Sequence, residues 1–251
     1  MSLLERLDIQ KPLPGHVYAV GIGPGAPDLL TLRAVQVIHD SYVLICPRSS
    51  NSEVSMALDT IRPWIREQKI LEAVYPMRRD QEGTAAFWRK MAEQALEYAN
   101  QGRVVTQITL GDPLLYSTSC YFLQEMQALL PPEKVHVIPG VAAFQAVSAR
   151  LKRALAVQED RMLLMTGTDP EQVRKALSCC ETLILYKAGR NIESLRDMLQ
   201  KEGLLSESSL VCYAEQKDEF VCSDLIDYKG RLPGYLACVI IHVRRRKWQR
   251  D

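Results

Sequence analysis

The sequence predicts an α/β fold in two domains, the first around a mostly parallel sheet and the second around a mixed sheet. Three observations lead there. Short runs rich in β-branched residues alternate with amphipathic helical stretches as far as Leu151, the pattern of parallel strands joined by crossover helices. Most of those runs stop on Pro or Gly turns, at Gly23-Pro24-Gly25, Cys46-Pro47, Tyr75-Pro76, Gly111-Asp112-Pro113 and Pro139-Gly140. Beyond residue 151 strand candidates outnumber helices, so part of the second sheet must pair antiparallel.

In order, a lead-in arm ends at Lys11-Pro12-Leu13-Pro14-Gly15, and Val17-Tyr18-Ala19-Val20 is the first strand. Asp28 is placed to cap a helix over Leu29–Ile38. Tyr42–Cys46 reads as a strand that Pro47 stops, and Lys69–Tyr75 as a third. A long helical pattern over residues 84–101 closes at Gly102. Val104–Leu110 is the central buried strand, followed by Gly111–Thr118 as a loop and Cys120–Leu130 as a helix. Val135–Ile138 is a strand and Val141–Leu151 a helix. Later strands are expected at Met162–Met165, Thr182–Tyr186, Leu210–Tyr213, Phe220–Cys222 and Leu236–Val243, with helices at Pro170–Leu177 and Ile192–Lys201. With no helix between them, the last two strands are expected to pair antiparallel. The domains are read as residues 1–145 and 146–251, with a cleft between them.

Composition narrows the function classes. At 47% hydrophobic and 24% charged residues the chain has material for a real core and the surface of a soluble protein. A net charge of +1 gives no global field for nucleic acid or membranes. The longest apolar run, Tyr235–Val243, is well short of the roughly 20 residues of a membrane span. Met1–Gln10 carries Glu5, Arg6 and Asp8 and no apolar stretch, so no signal peptide is read there. Seven scattered cysteines without a C-x-x-C suggest reduced thiols and a cytoplasmic protein. The adjacent Cys179-Cys180 reads as a buried helix end.

Gly21-x-Gly23-Pro24-Gly25 invites a dinucleotide-binding reading, but Pro24 removes an N–H from the phosphate cradle. The acidic residue such a site wants at the end of the second strand is absent from Ile45-Cys46-Pro47-Arg48. There is no P-loop motif, and the histidines at 16, 39, 136 and 242 are dispersed, so no metal site is expected. What remains is the set of turns at strand ends. The carboxyl ends of parallel strands line one rim, where Gly23, Gly25, Gly111, Gly140, Ala142 and Ala143 leave the main chain open to a ligand. Such a rim suits a bulky folded cofactor read by backbone groups. Asp112 offers either a cap or a charge there.

The run Val20-Gly21-Ile22-Gly23-Pro24-Gly25-Ala26-Pro27-Asp28-Leu29-Leu30-Thr31-Leu32-Arg33-Ala34 resembles the opening of the tetrapyrrole methylases, the class III S-adenosylmethionine-dependent methyltransferases. Gly111-Asp112-Pro113 and Pro139-Gly140-Val141-Ala142-Ala143 match two further signatures of that family in order, and the resemblance covers residues 17 to 243. Tyr75-Pro76-Met77 with Asp80, the Leu110–Thr118 stretch, and Tyr186-Lys187-Ala188-Gly189-Arg190 resemble the branch that methylates C(20) of precorrin-2 or cobalt-factor II in cobalamin synthesis. Lys187 stands where other members usually carry Met, Leu110 where many carry Gly, and Ala142-Ala143-Phe144 where small polar residues are commoner.

The resemblance implies S-adenosylmethionine in the inter-domain cleft, contacted by Pro24, Leu110, Gly111, Asp112, Leu115, Ala142, Ala143, Tyr186, Lys187 and Ala214. A tetrapyrrole is the implied substrate and a homodimer the implied assembly, with neither nucleic acid nor membrane as partner. Methyl transfer needs an aligned carbon nucleophile, exclusion of water and charge complementarity. Asp112 is the first candidate to offset cationic charge or take a proton, and Tyr116 and Lys187 are candidates to orient pyrrole nitrogens or carboxylates. Arg48, Arg78, Arg79 and Arg190 lie on loops where they could grip rim carboxylates. The basic tail Arg244-Arg245-Arg246-Lys247-Trp248-Gln249-Arg250 raises RNA as an alternative partner, which the +1 net charge disfavours. Uroporphyrinogen III methylation, or a cofactor-binding module without catalysis, is the competing function.

Overall fold

The structure, a computed structural model, describes residues 6–49, 55–75, 81–230, 234 and 236–244. The chain forms two compact units, Met1–Ala142 and Ala143–Asp251. The first holds five parallel strands: β1 (Val17–Gly21), β2 (Val43–Ser49), β3 (Lys69–Tyr75), β4 (Val105–Thr109) and β5 (Val135–Ile138). Their order across the sheet is β3-β2-β4-β1-β5. Helices α1 (Leu32–Asp40), α2 (Met56–Ile61), α3 (Gln81–Asn100) and α4 (Ser119–Leu129) accompany it.

Strand alternation divides the core of this unit in two. Val17, Val43, Ile45 and Val105 face α3 and α4, where Trp88, Met91, Ala95, Phe122 and Met126 are buried. Tyr18, Val20, Leu44, Cys46 and Ile108 face the other way, onto Ala34, Val37 and Ile38 of α1 and Ala57 and Ile61 of α2. The Trp88 ring is fully buried, edge-on to Phe87 at 5.0 Å and to Phe122 at 6.5 Å. Burying a ring of that size stabilises by roughly 3 kcal/mol.

Two local expectations are corrected here. Asp28 does not cap α1: it sits in a 3₁₀ turn over Pro27–Leu29, and the cap is Thr31, whose Oγ1 accepts from the Ala34 N–H at 3.1 Å. Pro47 does not stop β2, which stays in register with β3 through Ser49↔Tyr75. The pairing of β2 with β4 ends at Ile45↔Gln107, so at Pro47 the strand has a neighbour on one side and no ladder bond is lost. Its carbonyl accepts instead from Ser55 Oγ at 2.8 Å. The short helix α2 has no counterpart among the sequence expectations.

The second unit opens with α5 (Ala143–Leu151) and contains β6 (Met162–Thr166), α6 (Pro170–Ala176), β7 (Thr182–Tyr186), α7 (Ile192–Lys201), β8 (Ser208–Cys212), β9 (Phe220–Cys222) and β10 (Ala237–His242). The order is β6-β7-β10-β8-β9, with β6 and β7 parallel and the other pairs antiparallel. The last two strands therefore do not pair with each other: β8 lies between them and pairs antiparallel with both. One sheet face packs Leu183, Leu185, Leu210 and Val239 on Val173 of α6 and Leu195 and Leu199 of α7. The other packs Ile184, Val211 and Ile240 on Ala146 and Val147 of α5. Cys180 is buried at the end of a 3₁₀ turn, while Cys179 beside it is exposed.

Candidate functional site

At the carboxyl rim of the first sheet, three loops meet through their backbones. Ile22 N–H donates to the Thr109 carbonyl at 3.0 Å, and Gly111 N–H to the Gly23 carbonyl at 2.7 Å, so the chain after β1 and the chain after β4 form a short bridge. The chain after β5 closes onto both: a Cβ built on Gly140 would lie 2.2 Å from the Gly111 carbonyl oxygen and 2.7 Å from Gly21 C. Only glycine lets these main chains come so close.

Asp112 locks the arrangement. One carboxylate oxygen accepts from Leu114 N–H at 2.9 Å, shaping its own turn, and the other from Gly140 N–H at 3.1 Å, tying the loop after β4 to the loop after β5. The rest of the Gly111–Thr118 loop is anchored from below. Ser117 Oγ meets Thr109 Oγ1 at 3.0 Å and accepts from Ser119 N–H at 3.1 Å. Ser119 Oγ donates to the buried Gln107 Oε1 at 2.7 Å, and Gln107 Nε2 donates to the Ile108 carbonyl at 2.9 Å. These hydroxyls and the amide are positioning residues whose roles were not read in the sequence. The signal available was a Gln between the Val, Thr and Ile residues of a strand read as buried.

Of the expected residues, Pro24, Leu110, Gly111, Asp112 and Leu115 all sit on these rim loops, and Ala142 closes the unit just after Gly140. Tyr116 lies in the same loop with φ 51° and is 45% exposed, so its ring is presented outward.

The second unit has a rim of its own. β7 and β8 both run antiparallel to β10, so their carboxyl ends share one edge with the start of β10, and Tyr186 is registered with Cys238. Lys187 follows β7 with φ 57°, while Tyr213 and Glu215, with φ 51° and 60°, flank Ala214 after β8. Tyr186 Oη accepts from Phe144 N–H at 3.1 Å in the first turn of α5. Ala214 and Tyr186 belong to the same apolar cluster as α5. Ala143, Tyr186, Lys187 and Ala214 are thereby gathered at one rim. The loop after Ala214 is fixed by Glu219, which accepts from Glu215 N–H at 2.9 Å and pairs with Arg150 of α5.

Among the candidate arginines, Arg48 Nε bonds Glu72 at 2.9 Å and Arg190 is exposed. Arg78 and Arg79, with Pro76, Met77 and Asp80, lie outside the described residues, as do Tyr235 and the tail residues Arg245 to Arg250. Arg244 pairs with Glu181 at 3.3 Å. His16 and His136 are not dispersed: the fold brings them within 2.8 Å.

A parallel unit with a glycine-bound rim, followed by a mixed unit with a rim of small and aromatic residues, defines a two-domain α/β enzyme whose loops suit a ligand contacted by main chain. The chain belongs to the tetrapyrrole (corrin/porphyrin) methylases, whose family model matches residues 16–226, and it is a methyltransferase of that family. A cobalt-precorrin-2 C(20)-methyltransferase of Salmonella typhimurium is 33% identical over 238 residues, covering 94% of this chain and 98% of that protein. A precorrin-2 C(20)-methyltransferase of a Sinorhizobium species is 28% identical over 210 residues, 78% of this chain and 83% of that one. The fold matches the uroporphyrin-III C-methyl transferase of Thermus thermophilus, solved in complex with S-adenyl homocysteine, with a TM-score of 0.63 at 21% identity over 90% of this chain and 96% of that one. Among the described residues, no helix is long and apolar enough to cross a membrane.

Proposed function

We propose that this protein transfers a methyl group from S-adenosylmethionine to C(20) of cobalt-precorrin-2 in cobalamin synthesis. The observation that carries the substrate assignment is the near end-to-end match to the Salmonella enzyme. The weaker and shorter match to the Sinorhizobium enzyme lends less support to the metal-free substrate.

The residues at the two rims fit the cofactor in kind. Backbone groups around Pro24, Leu110, Gly111 and Leu115 suit its polar amino-acid and ribose parts, and Ala142, Ala143, Tyr186 and Ala214 offer small or flat apolar surfaces for its base. The bound cofactor supplies an electrophilic methyl group. Asp112 holds the rim with both oxygens, so its part in the reaction is to present fixed negative charge to the cationic ring system left after transfer. Tyr116 and Lys187 orient the tetrapyrrole. We further propose a cytoplasmic homodimer acting on a small molecule, without nucleic acid or membrane. All seven cysteines are free thiols, in keeping with a reducing compartment.

The test is anaerobic incubation with labelled S-adenosylmethionine and, separately, cobalt-precorrin-2, precorrin-2 and uroporphyrinogen III. One label per cobalt-precorrin-2 is the expected result; transfer only to uroporphyrinogen III, or to none of the three, overturns the reading. In the same assay Lys187→Met is expected to lower kcat by about tenfold while leaving the KM for S-adenosylmethionine within about twofold, as loss of a substrate-orienting contact does.

A further inference from the structure

Away from the rim loops, the first unit holds a cavity of about 260 Å³ on the α1 face of its sheet, at the β5 edge. Its walls are the lead-in arm over Gln10–Leu13, Arg33 and Val37 of α1, Tyr18 of β1, and β5 from Val135 to Ile138. The charged side chains on those walls, Lys11 and Arg33, are both cations. Tyr18 is 5% exposed, and its hydroxyl accepts from Leu13 N–H at 2.8 Å, while its own proton meets no acceptor among the described residues. Behind it, His136 stacks on Tyr18 at 4.6 Å between ring centroids, and His136 Nε2 shares a proton with His16 Nδ1 at 2.8 Å. Arg33 and Lys11 are both exposed, and neither has a hydrogen-bond or ion partner among the described residues. No carboxylate lines the cavity among those residues.

Two cations and a buried phenol with an undirected proton offer side-chain donors to a ligand oxygen in this cavity. A buried donor without an acceptor is costly, and a ligand oxygen relieves it. Guanidinium and ammonium groups add charge-assisted bonds to such an oxygen. The space is somewhat below that of an ordinary drug-sized pocket, which limits the occupant to a small metabolite. We propose that this cavity is a second binding site, separate from the methyl-transfer machinery, for a small oxyanion bearing a phosphoryl or carboxylate group.

The histidine pair couples the site to pH. Burial, and then the neighbouring His16, hold His136 below the usual imidazole value and disfavour its added proton. The titratable or charged groups facing it are His16, Tyr18, Lys11 and Arg33. A bound anion favours taking up that proton, so affinity for an anion of constant charge rises as pH falls.

The experiment is to follow the imidazole C2–H signals of the four histidines while titrating the full-length protein with inorganic phosphate, sulfate or citrate, against sodium chloride at equal ionic strength. Saturable movement of the His16 and His136 signals, with His39 and His242 still, is the expected outcome. Sulfate should bind more tightly at acid than at neutral pH. Arg33→Ala, at an exposed position, and Tyr18→Phe, which keeps the ring stack, should each weaken binding by about tenfold, as loss of one charge-assisted or buried hydrogen bond does. Response to phosphate and sulfate alone assigns a phosphoryl ligand, and response to citrate alone a carboxylate. The proposal is overturned if no anion gives saturable shifts, if all four signals drift together as in chloride, or if both variants bind as tightly as the parent chain.

Discussion

At the carboxyl rim of the first sheet the chain meets itself backbone to backbone, whereas at that of the second sheet residues with full side chains adopt left-handed backbone and are tied down by hydrogen bonds. Gly21, Gly111 and Gly140 crowd together because none carries a Cβ, and Asp112 adds a side-chain bond across to Gly140. In the second unit Lys187, Tyr213 and Glu215 each have φ between 51° and 60°. A non-glycine residue gives up about 1–2 kcal/mol in that region. Tyr186, Glu219 and Arg150 supply the bonds that hold the surrounding loops. The first rim owes its shape to missing atoms and has no slack; the second owes it to bonds that can be removed one at a time.

That contrast is broken most directly at Gly140. Gly140→Ala puts a methyl group against the Gly111 carbonyl and the Gly21 backbone, with no flexible side chain to give way. It is expected to destabilise the protein by about 3 kcal/mol or more, read from the urea midpoint. Gly203→Ala is the matched control: nothing lies within 4 Å of its Cβ, and φ is 69°. Its cost should stay near 1 kcal/mol, the backbone penalty alone. Equal losses at the two positions would mean that the rim relaxes and that close approach is not what glycine provides there.

At the second rim two neighbouring substitutions should act in opposite directions. Tyr186→Phe leaves Phe144 N–H without its acceptor in the first turn of α5 and should cost about 1 kcal/mol. Lys187→Gly removes a side chain from a left-handed position and should stabilise by about 0.5–1 kcal/mol, although it removes a residue proposed to orient substrate. Thermal unfolding of both variants checks the signs. Stabilisation together with lost turnover at Lys187 would mark backbone strain retained for function.

Much of this was legible in advance, because strand ends punctuated by Pro and Gly announce the rim of a parallel sheet. Thirteen glycines do not all mean the same thing, but those at 21, 23, 111 and 140 follow short β-branched runs that form β1, β4 and β5. What stayed hidden depended on partners distant in sequence. Pro47 stops a strand only if a neighbour on the side of its nitrogen needs an N–H there, and whether β4 extends that far is not written near Pro47. Thr31 and Asp28 are both good caps, and which one serves depends on where the chain turns onto α1. His16 and His136 lie 120 positions apart and meet because β1 and β5 pair in the register Val17↔Val135. The role of Asp112 was open between cap and charge; the structure shows it forming both the local turn and a bond to the next loop.

The smallest effect lies at the amino ends of the second sheet's parallel strands, where charged side chains do the tying. Glu181, just before β7, accepts from the Arg161 backbone N–H at 2.9 Å and from that residue's guanidinium at 2.9 and 3.2 Å, and Arg244 approaches at 3.3 Å. Hydrogen bonds from Arg161 are the main cause, and its charge with that of Arg244 adds to them; together they depress the carboxyl of Glu181 to about 2. A carboxylate depressed in the folded state adds stability that is complete above its unfolded value, near 4.5, and is lost as pH falls toward about 2. Glu181→Gln should therefore unfold like the parent protein near pH 2 and be less stable than it above pH 5, with the gap opening across that window. The cluster is solvent-exposed, so salt should narrow the gap. A pH-independent difference would show that Glu181 acts through packing and neutral hydrogen bonds, and that ionic ties at this end of the sheet contribute nothing to holding β6 beside β7.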